Sequence, residues 1–246
     1  MDYNNITYDE LWPAGPKFIQ AEGAFKLCTD SVLLSAFAGG GKALKICDIG
    51  FGAGVIGIIL AYIHPQSHIT GVEINEGAYS IATKNIFLNS LEERSDVILG
   101  DIRDHRSFLK AGEFDLVVSN PPYFPLGSGR AAKKESMVAA RDDRSCTTAQ
   151  LCAAASYITK WGGRFALVHR PERLSDVMCA MTDSGIEPKI LRFVQHKAGS
   201  APNLFLLEGR RGGKSGLTVM PPLIMTNEDG TYTDEILKIY HRQGDK

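Results

Sequence analysis

A glycine-rich turn between an apolar strand and an apolar helix constrains the fold of this chain more than any other feature. The segment Asp48-Ile-Gly50-Phe-Gly52-Ala-Gly54 follows a short, mainly apolar strand candidate at 44–47 and precedes the apolar run Val55–Ile63. Glycines at alternate positions let the backbone turn sharply and approach a ligand closely. The helix that follows presents free N–H groups and the positive end of its dipole. The sequence therefore predicts a strand, a ligand-binding turn and a helix that open an α/β domain.

The same turn indicates which ligand it suits. The dinucleotide fingerprint G-x-G-x-x-G requires a glycine at position 55, which is Val55. Asp48, at the end of the strand, would repel a phosphate and attract an ammonium group. We therefore expect a ligand with an amino-acid moiety, such as S-adenosylmethionine, and the alternative of a glycine turn without a ligand stays open.

Two further predicted strands end in acids. Glu73 closes the strand His68–Glu73 and lies 19 residues past Gly54, near the spacing of a ribose-binding carboxylate. Asp101 closes the next strand and is a candidate acceptor for an adenine amine. Each acid has a structural alternative, because Glu73 can serve as the N-terminal charge of a helix that starts near residue 75, and Asp101 can cap a helix.

The segment Asn120-Pro121-Pro122-Tyr123 follows a fourth strand, Phe114–Ser119. Two prolines stiffen the backbone and remove two N–H donors, so carbonyl oxygens are offered without a competing donor. The Asn120 side-chain oxygen and the Pro121 carbonyl can accept from an exocyclic –NH₂, while the Tyr123 ring stacks on a planar substrate. Pro-Pro is also ordinary loop punctuation, which is the structural alternative.

Taken together and in this order, the four motifs resemble those of class I S-adenosylmethionine-dependent methyltransferases that modify an exocyclic or amide nitrogen. The resemblance spans about residues 25–211. The whole chain further resembles the bacterial tRNA methyltransferases that modify adenine N6 beside the anticodon of a valine tRNA, through residues 25–34 and through a tail that begins at Pro221. This resemblance implies S-adenosylmethionine as cofactor, tRNA as partner and a cytoplasmic location. It also implies a set of cofactor contacts, which are Thr29, Asp48, Gly50, Gly52, Gly54, Glu73, Ile74, Asp101, Ile102 and Asn120.

Charge and composition limit the classes of partner that we expect for this chain. The longest apolar run, Val55–Ile63, is too short to span a bilayer, and five cysteines without a C-x-x-C pair argue against a zinc site, so we expect no metal and no membrane. The formal net charge of −1 does not by itself indicate nucleic-acid binding. Residues 130–144 carry a local +2, and we expect Lys133, Lys134 and Arg141 to contact RNA phosphates, although a mixed charge run usually only solvates a loop.

Strands and helices alternate along the chain. Strands are expected at 44–47, 68–73, 96–101, 114–119, 164–168, 189–196 and 203–208, and helices at 30–37, 55–63, 76–89, 147–160 and after Pro171. Such alternation predicts a doubly wound, mostly parallel sheet of seven strands, and the resemblance makes the last strand antiparallel. We expect one domain over residues 1–246, with residues 1–40 as a cap and helix over the cofactor pocket and residues 212–246 as a C-terminal extension.

The expected reaction is transfer of a methyl group to an adenine N6 amine of tRNA, held by Asn120, Pro121 and Tyr123. A protein glutamine amide and guanine N2 of ribosomal RNA are alternative substrates. Fewer than 50 residues precede the glycine motif, which argues against the separate N-terminal helical domain of glutamine-modifying relatives. A non-catalytic S-adenosylmethionine-binding module is the alternative from another class, and such a module has no need of an amine clamp.

Overall fold

The computed structural model describes residues 7–20, 28–43, 45–122 and 146–241. The strands of these residues are β1 (Thr7–Glu10), β2 (Lys17–Gln20), β3 (Lys45–Ile49), β4 (His68–Glu73), β5 (Ser95–Leu99), β6 (Phe114–Ser119), β7 (Thr159–His169), β8 (Ile186–Lys197), β9 (Pro202–Arg211), β10 (Thr218–Val219) and β11 (Leu223–Thr226). The helices are α1 (Thr29–Ala38), α2 (Val55–Ile63), α3 (Glu76–Leu88), α4 (Thr148–Ile158), α5 (Leu174–Asp183) and α6 (Asp234–Ile239). Short 3₁₀ turns lie at Glu92–Arg94, Ile102–Ser107 and Pro171–Arg173.

Seven strands form the predicted sheet, in the order β5-β4-β3-β6-β7-β9-β8. All neighbours are parallel except β9, which runs antiparallel to both β7 and β8. The last of the seven strands in sequence is thus antiparallel, as expected. The C-terminal segment adds β10 and β11, which both pair in parallel with β8 and bring the sheet to nine strands within the described residues.

Helices cover both faces of the sheet, so the predicted doubly wound α/β architecture is confirmed. On one face α1, α2, α3 and α6 enclose a cluster of buried apolar side chains that includes Leu34, Ile58 and Ile236. On the other face α4 and α5 enclose a second cluster around Ile158, Phe165 and Met181. The chain order reverses between β3 and β6, and ligands of doubly wound sheets bind in the crevice at this point.

Local signals located most elements well. The helix Val55–Ile63 and the strand His68–Glu73 have the predicted bounds. Asn75 caps α3 by accepting from Ala78 N, and Thr147 and Gln150 form the predicted capping box of α4. Helix α4 ends at Ile158 rather than near 160, because β7 begins at Thr159, five residues before the strand predicted at 164–168.

An N-terminal hairpin is the largest element that the sequence did not predict. Strands β1 and β2 pair antiparallel, with Thr7 opposite Gln20. Two asparagines of the α3 region hold the hairpin: Asn85 Oδ1 accepts from Ile19 N at 2.8 Å, and Asn89 bonds to both the N–H and the C=O of Lys17. These contacts attach the hairpin to the body of the fold.

Candidate active site at the carboxyl edge of the sheet

The four sequence motifs come together at one edge of the sheet. Ile49 is paired with Val72 of β4 and with Ser119 of β6, and Glu73 is paired with Leu99 of β5. The segments that follow these strands therefore lie side by side, because carboxyl ends of parallel strands meet at the same edge. The strand predicted at 96–101 ends earlier than expected, because β5 ends at Leu99, so Asp101 lies two residues past the strand rather than at its last position.

Left-handed glycines form the turn after β3. Gly50, Gly52 and Gly54 have φ angles of 78°, 56° and 86°, a region that glycine adopts without strain. A Cβ at Gly50 would meet no heavy atom within 4 Å, so this part of the turn borders open space. Gly54 is the N-cap of α2. The turn is thus shaped for close approach of a ligand to its backbone.

Phe51 supports this turn from beneath. Its side chain is buried, and a Cβ at Gly57 or Gly71 would lie only 2.3 Å or 2.4 Å from its ring. Glycines at these two positions therefore make the space that the ring fills. Phe51 and its two glycine neighbours were not predicted as parts of the site; the signal was a glycine inside the helix α2 and another inside the strand β4.

Glu73 binds the glycine turn directly. Its Oε2 accepts from Gly52 N at 2.7 Å and its Oε1 accepts from Asn75 N at 2.8 Å, and the side chain is buried. A carboxylate has about four lone-pair positions, so each oxygen retains capacity for a further donor. Glu73 therefore fixes the turn and also presents acceptors beside it.

Asp48 is completely buried beneath the turn. Its Oδ2 accepts from Gly57 N at 3.1 Å, and its Oδ1 is a buried oxygen without a hydrogen-bond partner among the described residues. Burial raises the pKa of the Asp48 carboxyl to about 8, helped by the charge of Glu73 and opposed by the Gly57 N–H. The hydrogen bond to Gly57 N joins Asp48 to the first turn of α2, and both its contact with the cofactor and its attraction for an ammonium group stay predictions.

Asp101 is held by Arg103. Asp101 Oδ1 accepts from Arg103 N at 2.9 Å, while Oδ2 accepts from Arg103 Nε and Nη2 at 2.8 Å and 2.6 Å. These bonds to Arg103 hold the pKa of the Asp101 carboxyl below its usual value. Asp101 is thus the N-cap of the 3₁₀ turn Ile102–Ser107, which was the structural alternative, and it lies at the same time on the edge of the site. Its role toward an adenine amine stays a prediction.

Apolar residues flank the two acids. Ile74 follows Glu73 and is 47% exposed, whereas Ile102 follows Asp101 and is buried. An exposed aliphatic group beside acceptors suits a ligand that has a flat apolar face and polar edges.

Asn120 begins the loop after β6 and faces helix α1. Its Nδ2 donates to Ser31 Oγ at 3.2 Å, and the preceding Ser119 Oγ donates to Ile49 O at 2.8 Å. The N-terminal end of α1 is therefore adjacent to the site, with Thr29 as its exposed first residue. Ser31 and Ser119 were not predicted as site residues; each is a buried hydroxyl within an apolar element, which is the signal that could have found them.

Comparison with known proteins decides the family. The family model described as "Methyltransferase small domain" matches residues 28–171, which include every described residue of this site.

The chain belongs to the methyltransferase small domain family.

Curated relatives of this methyltransferase extend over most of its length. A protein of Tolumonas auensis named "tRNA1(Val) (adenine(37)-N6)-methyltransferase" is 33% identical over 219 residues, 88% of each chain. A protein of the same name from Aeromonas hydrophila subsp. hydrophila is 30% identical over 217 residues, 88% of this chain and 89% of the relative. This methyltransferase therefore also belongs to the family of these relatives, which confirms the resemblance seen in the motifs.

A solved structure supports the fold. The crystal structure of a "predicted O-methyltransferase" from Agrobacterium tumefaciens superposes with a TM-score of 0.72 and 21% identity, over 87% of this methyltransferase and 96% of that chain. At this identity the likeness shows a shared fold.

Several predicted site residues of this methyltransferase lie outside the described residues. They are Tyr123, Lys133, Lys134 and Arg141. Their roles stay predictions. Within the described part of the chain, no group of three or more His, Cys, Asp or Glu side chains is placed to hold a metal ion. No helix in the same part is long and apolar enough to cross a membrane.

Proposed function

We propose that this chain transfers the methyl group of S-adenosylmethionine to the exocyclic N6 amine of an adenine in tRNA. The observation that carries the proposal is the position of Asn120, which follows β6 directly beside the glycine turn that follows β3. An amide oxygen and a donor-free Pro-Pro backbone thus adjoin a turn that suits a nucleoside with an amino-acid moiety. This juxtaposition is what a methyl transfer to an amine requires, because the two reactants must be held close and aligned.

The residues present fit the cofactor. Gly50 borders open space, Glu73 offers acceptors for hydroxyl groups, and the exposed Ile74 suits the flat face of an adenine. Asp101 is a further acceptor on the same edge. When bound there, S-adenosylmethionine supplies an already activated methyl group, so the protein mainly has to position the reactants.

The loop after β6 would bind and activate the amine that receives the methyl group. An adenine amino nitrogen is a poor nucleophile because its lone pair is delocalised into the ring. Hydrogen bonds from –NH₂ to Asn120 Oδ1 and Pro121 C=O would favour sp³ geometry at the nitrogen and localise the lone pair. No general base is needed, since the proton leaves easily after the nitrogen has been alkylated. Tyr123 is expected to stack on the base once the base has left its own stack.

The relatives' names support tRNA as the substrate class. We further propose that residues 1–246 form a single methyltransferase domain that acts in the cytoplasm. In this domain residues 1–40 form a cap and helix over the cofactor pocket, and residues 212–246 form a C-terminal extension. Two observations support this organisation, the contact of α1 with Asn120 and the addition of β10 and β11 to β8. Lys133, Lys134 and Arg141 are proposed to contact phosphates.

Methyl transfer to tRNA tests the proposal. Bulk tRNA from a strain lacking the gene is incubated with the protein and labelled S-adenosylmethionine, and the nucleosides are identified by mass spectrometry. We expect N6-methyladenosine, and an unmodified valine tRNA transcript should be a substrate. Label in N2-methylguanosine, or in glutamine of a protein fraction but not in tRNA, would replace adenine with one of the alternatives.

Two variants separate catalysis from cofactor binding. Asn120→Ala should lower turnover by orders of magnitude while the S-adenosylmethionine affinity measured by calorimetry changes little. Glu73→Gln should weaken S-adenosylmethionine binding by about 1–3 kcal/mol, because one of two buried acceptors is lost. Glu76→Gln, on the exposed first turn of α3, is the matched control and should leave both quantities unchanged. Binding without any transfer would instead support the non-catalytic module.

A further inference from the structure

The sheet carries a second feature that the proposed active site does not use, at the opposite edge. Trp161 is 80% exposed, although tryptophan is usually largely buried. It lies on a bulge of β7: Phe114 and Leu116 of β6 pair with Thr159 and Arg164, so three extra residues of β7 loop out between them. Bulges of this kind re-aim a side chain, and here the bulge directs an indole toward solvent.

The indole is supported on one side by glycine. Gly212 has a φ of 66°, and a Cβ there would lie 2.3 Å from Trp161 Cζ2. The ring therefore lies against the backbone at Gly212, a position where a larger residue would displace it. An exposed ring that is supported on one side suits stacking, because tryptophan has few rotatable bonds and loses little side-chain entropy when a partner binds.

Five cations lie on the chain segments that adjoin this ring, at residues 160, 189, 210, 211 and 214. We call the group the Trp161 platform, and its members are Lys160, Trp161, Lys189, Arg210, Arg211 and Lys214. With the neighbouring carboxylates Asp115 and Glu187 the platform has a local charge of +3, in a chain of formal net charge −1.

The cations of the platform are largely without acidic partners. Lys160 pairs with Asp115, but Lys189 Nζ donates to Lys214 O, and Arg211 donates to the carbonyl oxygens of Thr159 and Tyr157. In the described part of the chain no carboxylate lies within ion-pair distance of Arg210, Arg211 or Lys214. These positive charges are thus available to an anionic partner.

We propose that the Trp161 platform is a second RNA-binding surface, which holds a part of the substrate tRNA remote from the modified base. An exposed aromatic ring near cations that mostly lack acidic partners matches a partner with both bases and phosphates, since bases stack on the ring and phosphates pair with the cations. The proposal rests on the proposed tRNA substrate. It adds a second place at which the protein binds that RNA.

The separation of the two surfaces sets the length of RNA that is needed. Arg210 lies opposite Arg164, whereas Phe205 of the same strand lies opposite His169 at the other edge. These five residue steps correspond to about 17 Å of strand. Trp161 lies beyond Arg164, so an RNA must extend past the whole sheet to touch both Asn120 and the platform. A full-length tRNA is extended enough for this, and an isolated anticodon stem–loop is much less so.

Steady-state kinetics with two RNAs test the proposal. Trp161→Ala should raise KM for the full-length unmodified tRNA about tenfold, the typical effect of removing one stacking ring. The value of kcat, and KM for the isolated anticodon stem–loop, should stay unchanged. Arg210→Ala should act in the same way and reduce the log–log salt slope of full-length binding by about 1. Phe87→Ala, which removes another exposed ring (72%) on α3, is the matched control.

A direct readout uses the fluorescence of the ring itself. The chain has two tryptophans, so Trp12→Phe leaves Trp161 as the reporter. Full-length tRNA should quench this emission, the stem–loop should not, and Trp161→Phe should keep most of the affinity.

If Trp161→Ala matches the wild type on both RNAs while the wild type methylates tRNA, the platform proposal is overturned and the proposed function stands. A change of oligomeric state in Trp161→Ala, with unaltered kinetics on tRNA, would assign the surface to a second copy of the chain. Absence of any wild-type activity on tRNA would overturn the proposed function itself.

Discussion

Asn120 Nδ2 donates a hydrogen bond to Ser31 Oγ at 3.2 Å, which joins the loop after β6 to helix α1. Because the nitrogen and oxygen of an amide point in different directions, this contact turns Asn120 Oδ1 away from Ser31. Ser31 is itself buried, and its carbonyl accepts from Ser35 Oγ one turn later. Helix α1 is thus placed to orient the proposed amine acceptor, and the N-terminal part of the chain would then contribute to the proposed catalysis by positioning.

Removing the Ser31 hydroxyl should therefore lower turnover. Ser31→Ala deletes one hydrogen bond to Asn120, which is worth about 0.5–1.5 kcal/mol and corresponds to a fall in kcat of up to about tenfold. The affinity for S-adenosylmethionine should be nearly unchanged. Ser35→Ala, which bonds only to the helix backbone, is the control. Equal kcat values for the two variants would show that Ser31 has no role in orienting the amide.

The buried Asp48 carboxyl should make the free energy of unfolding depend on pH. Burial raises its pKa from 3.8 to about 8, so the folded chain holds a proton that the unfolded chain releases between these values. The resulting stabilisation is complete below about pH 4 and declines as pH rises to about 8. Asp48→Asn keeps an oxygen for Gly57 N and carries no charge, so it should gain stability relative to the wild type between pH 5 and pH 8, by up to about 1.4 kcal/mol per pH unit.

Urea unfolding at pH 5, 6.5 and 8 measures this difference. Asp183→Asn, at an exposed position at the end of α5, serves as the control and should follow the wild type. A constant difference between Asp48→Asn and the wild type across these three pH values would mean that Asp48 is ionised throughout.

The packing of Phe51 against glycine predicts a clash on substitution. In Gly71→Ala the new Cβ would lie 2.4 Å from Phe51 Cγ, so the ring and the turn above it must shift. We expect a loss of about 1–3 kcal/mol of stability, as for other overpacked cores, together with weaker S-adenosylmethionine binding. Phe51→Leu in the Gly71→Ala background should recover part of both losses. Gly40→Ala, where no heavy atom lies within 4 Å, should be near neutral. Calorimetry and thermal unfolding of the four proteins decide the matter.

Local patterns were sufficient for much of the fold. Three local patterns predicted β3, α2 and β4, namely the glycine turn, the apolar run that follows it and the acid at Glu73. Each pattern consists of residues that are close together in the sequence. The gathering of Glu73, Asp101 and Asn120 at one edge followed from the parallel sheet, since strand ends imply a common edge. Sequence order alone thus placed Glu73, Asp101 and Asn120 at one edge, but not Phe51, Ser31 or Ser119.

What the sequence could not predict depends on contacts between distant segments. The hydrogen bond from Asn120 to Ser31 joins residues 89 positions apart, and no local sequence pattern at either residue predicts the contact. The pairing of Asp101 with Arg103 is local, yet the choice between cap and ligand acceptor depends on surroundings that no pattern encodes. The hairpin β1–β2 is short, and its attachment to α3 is made by asparagine side chains, which read as ordinary polar residues of an exposed helix face.

Asn85 links this hairpin to the glycine turn, which leads to the last prediction. Its Oδ1 accepts from Ile19 N and its Nδ2 donates to Ala53 O, each at 2.8 Å, and the residue is fully buried. Asn89, one turn later, bonds to both backbone groups of Lys17, accepts from Tyr62 Oη and donates to Asn85 O, and within the described residues it makes no bond to the turn. The two asparagines thus share the hairpin and differ in their contact with Ala53.

Substitution of each asparagine should separate these roles. Asn85→Ala leaves buried backbone groups at Ile19 and Ala53 unpaired, so it should cost about 1–3 kcal/mol of stability and also weaken S-adenosylmethionine binding. Asn89→Ala should speed hydrogen exchange in the hairpin to a similar degree while leaving that affinity intact. Exchange mass spectrometry and calorimetry on the two variants provide the comparison. If Asn89→Ala weakens the cofactor as much as Asn85→Ala does, the hairpin itself must stabilise the pocket, and the bond to Ala53 would not be the link between them.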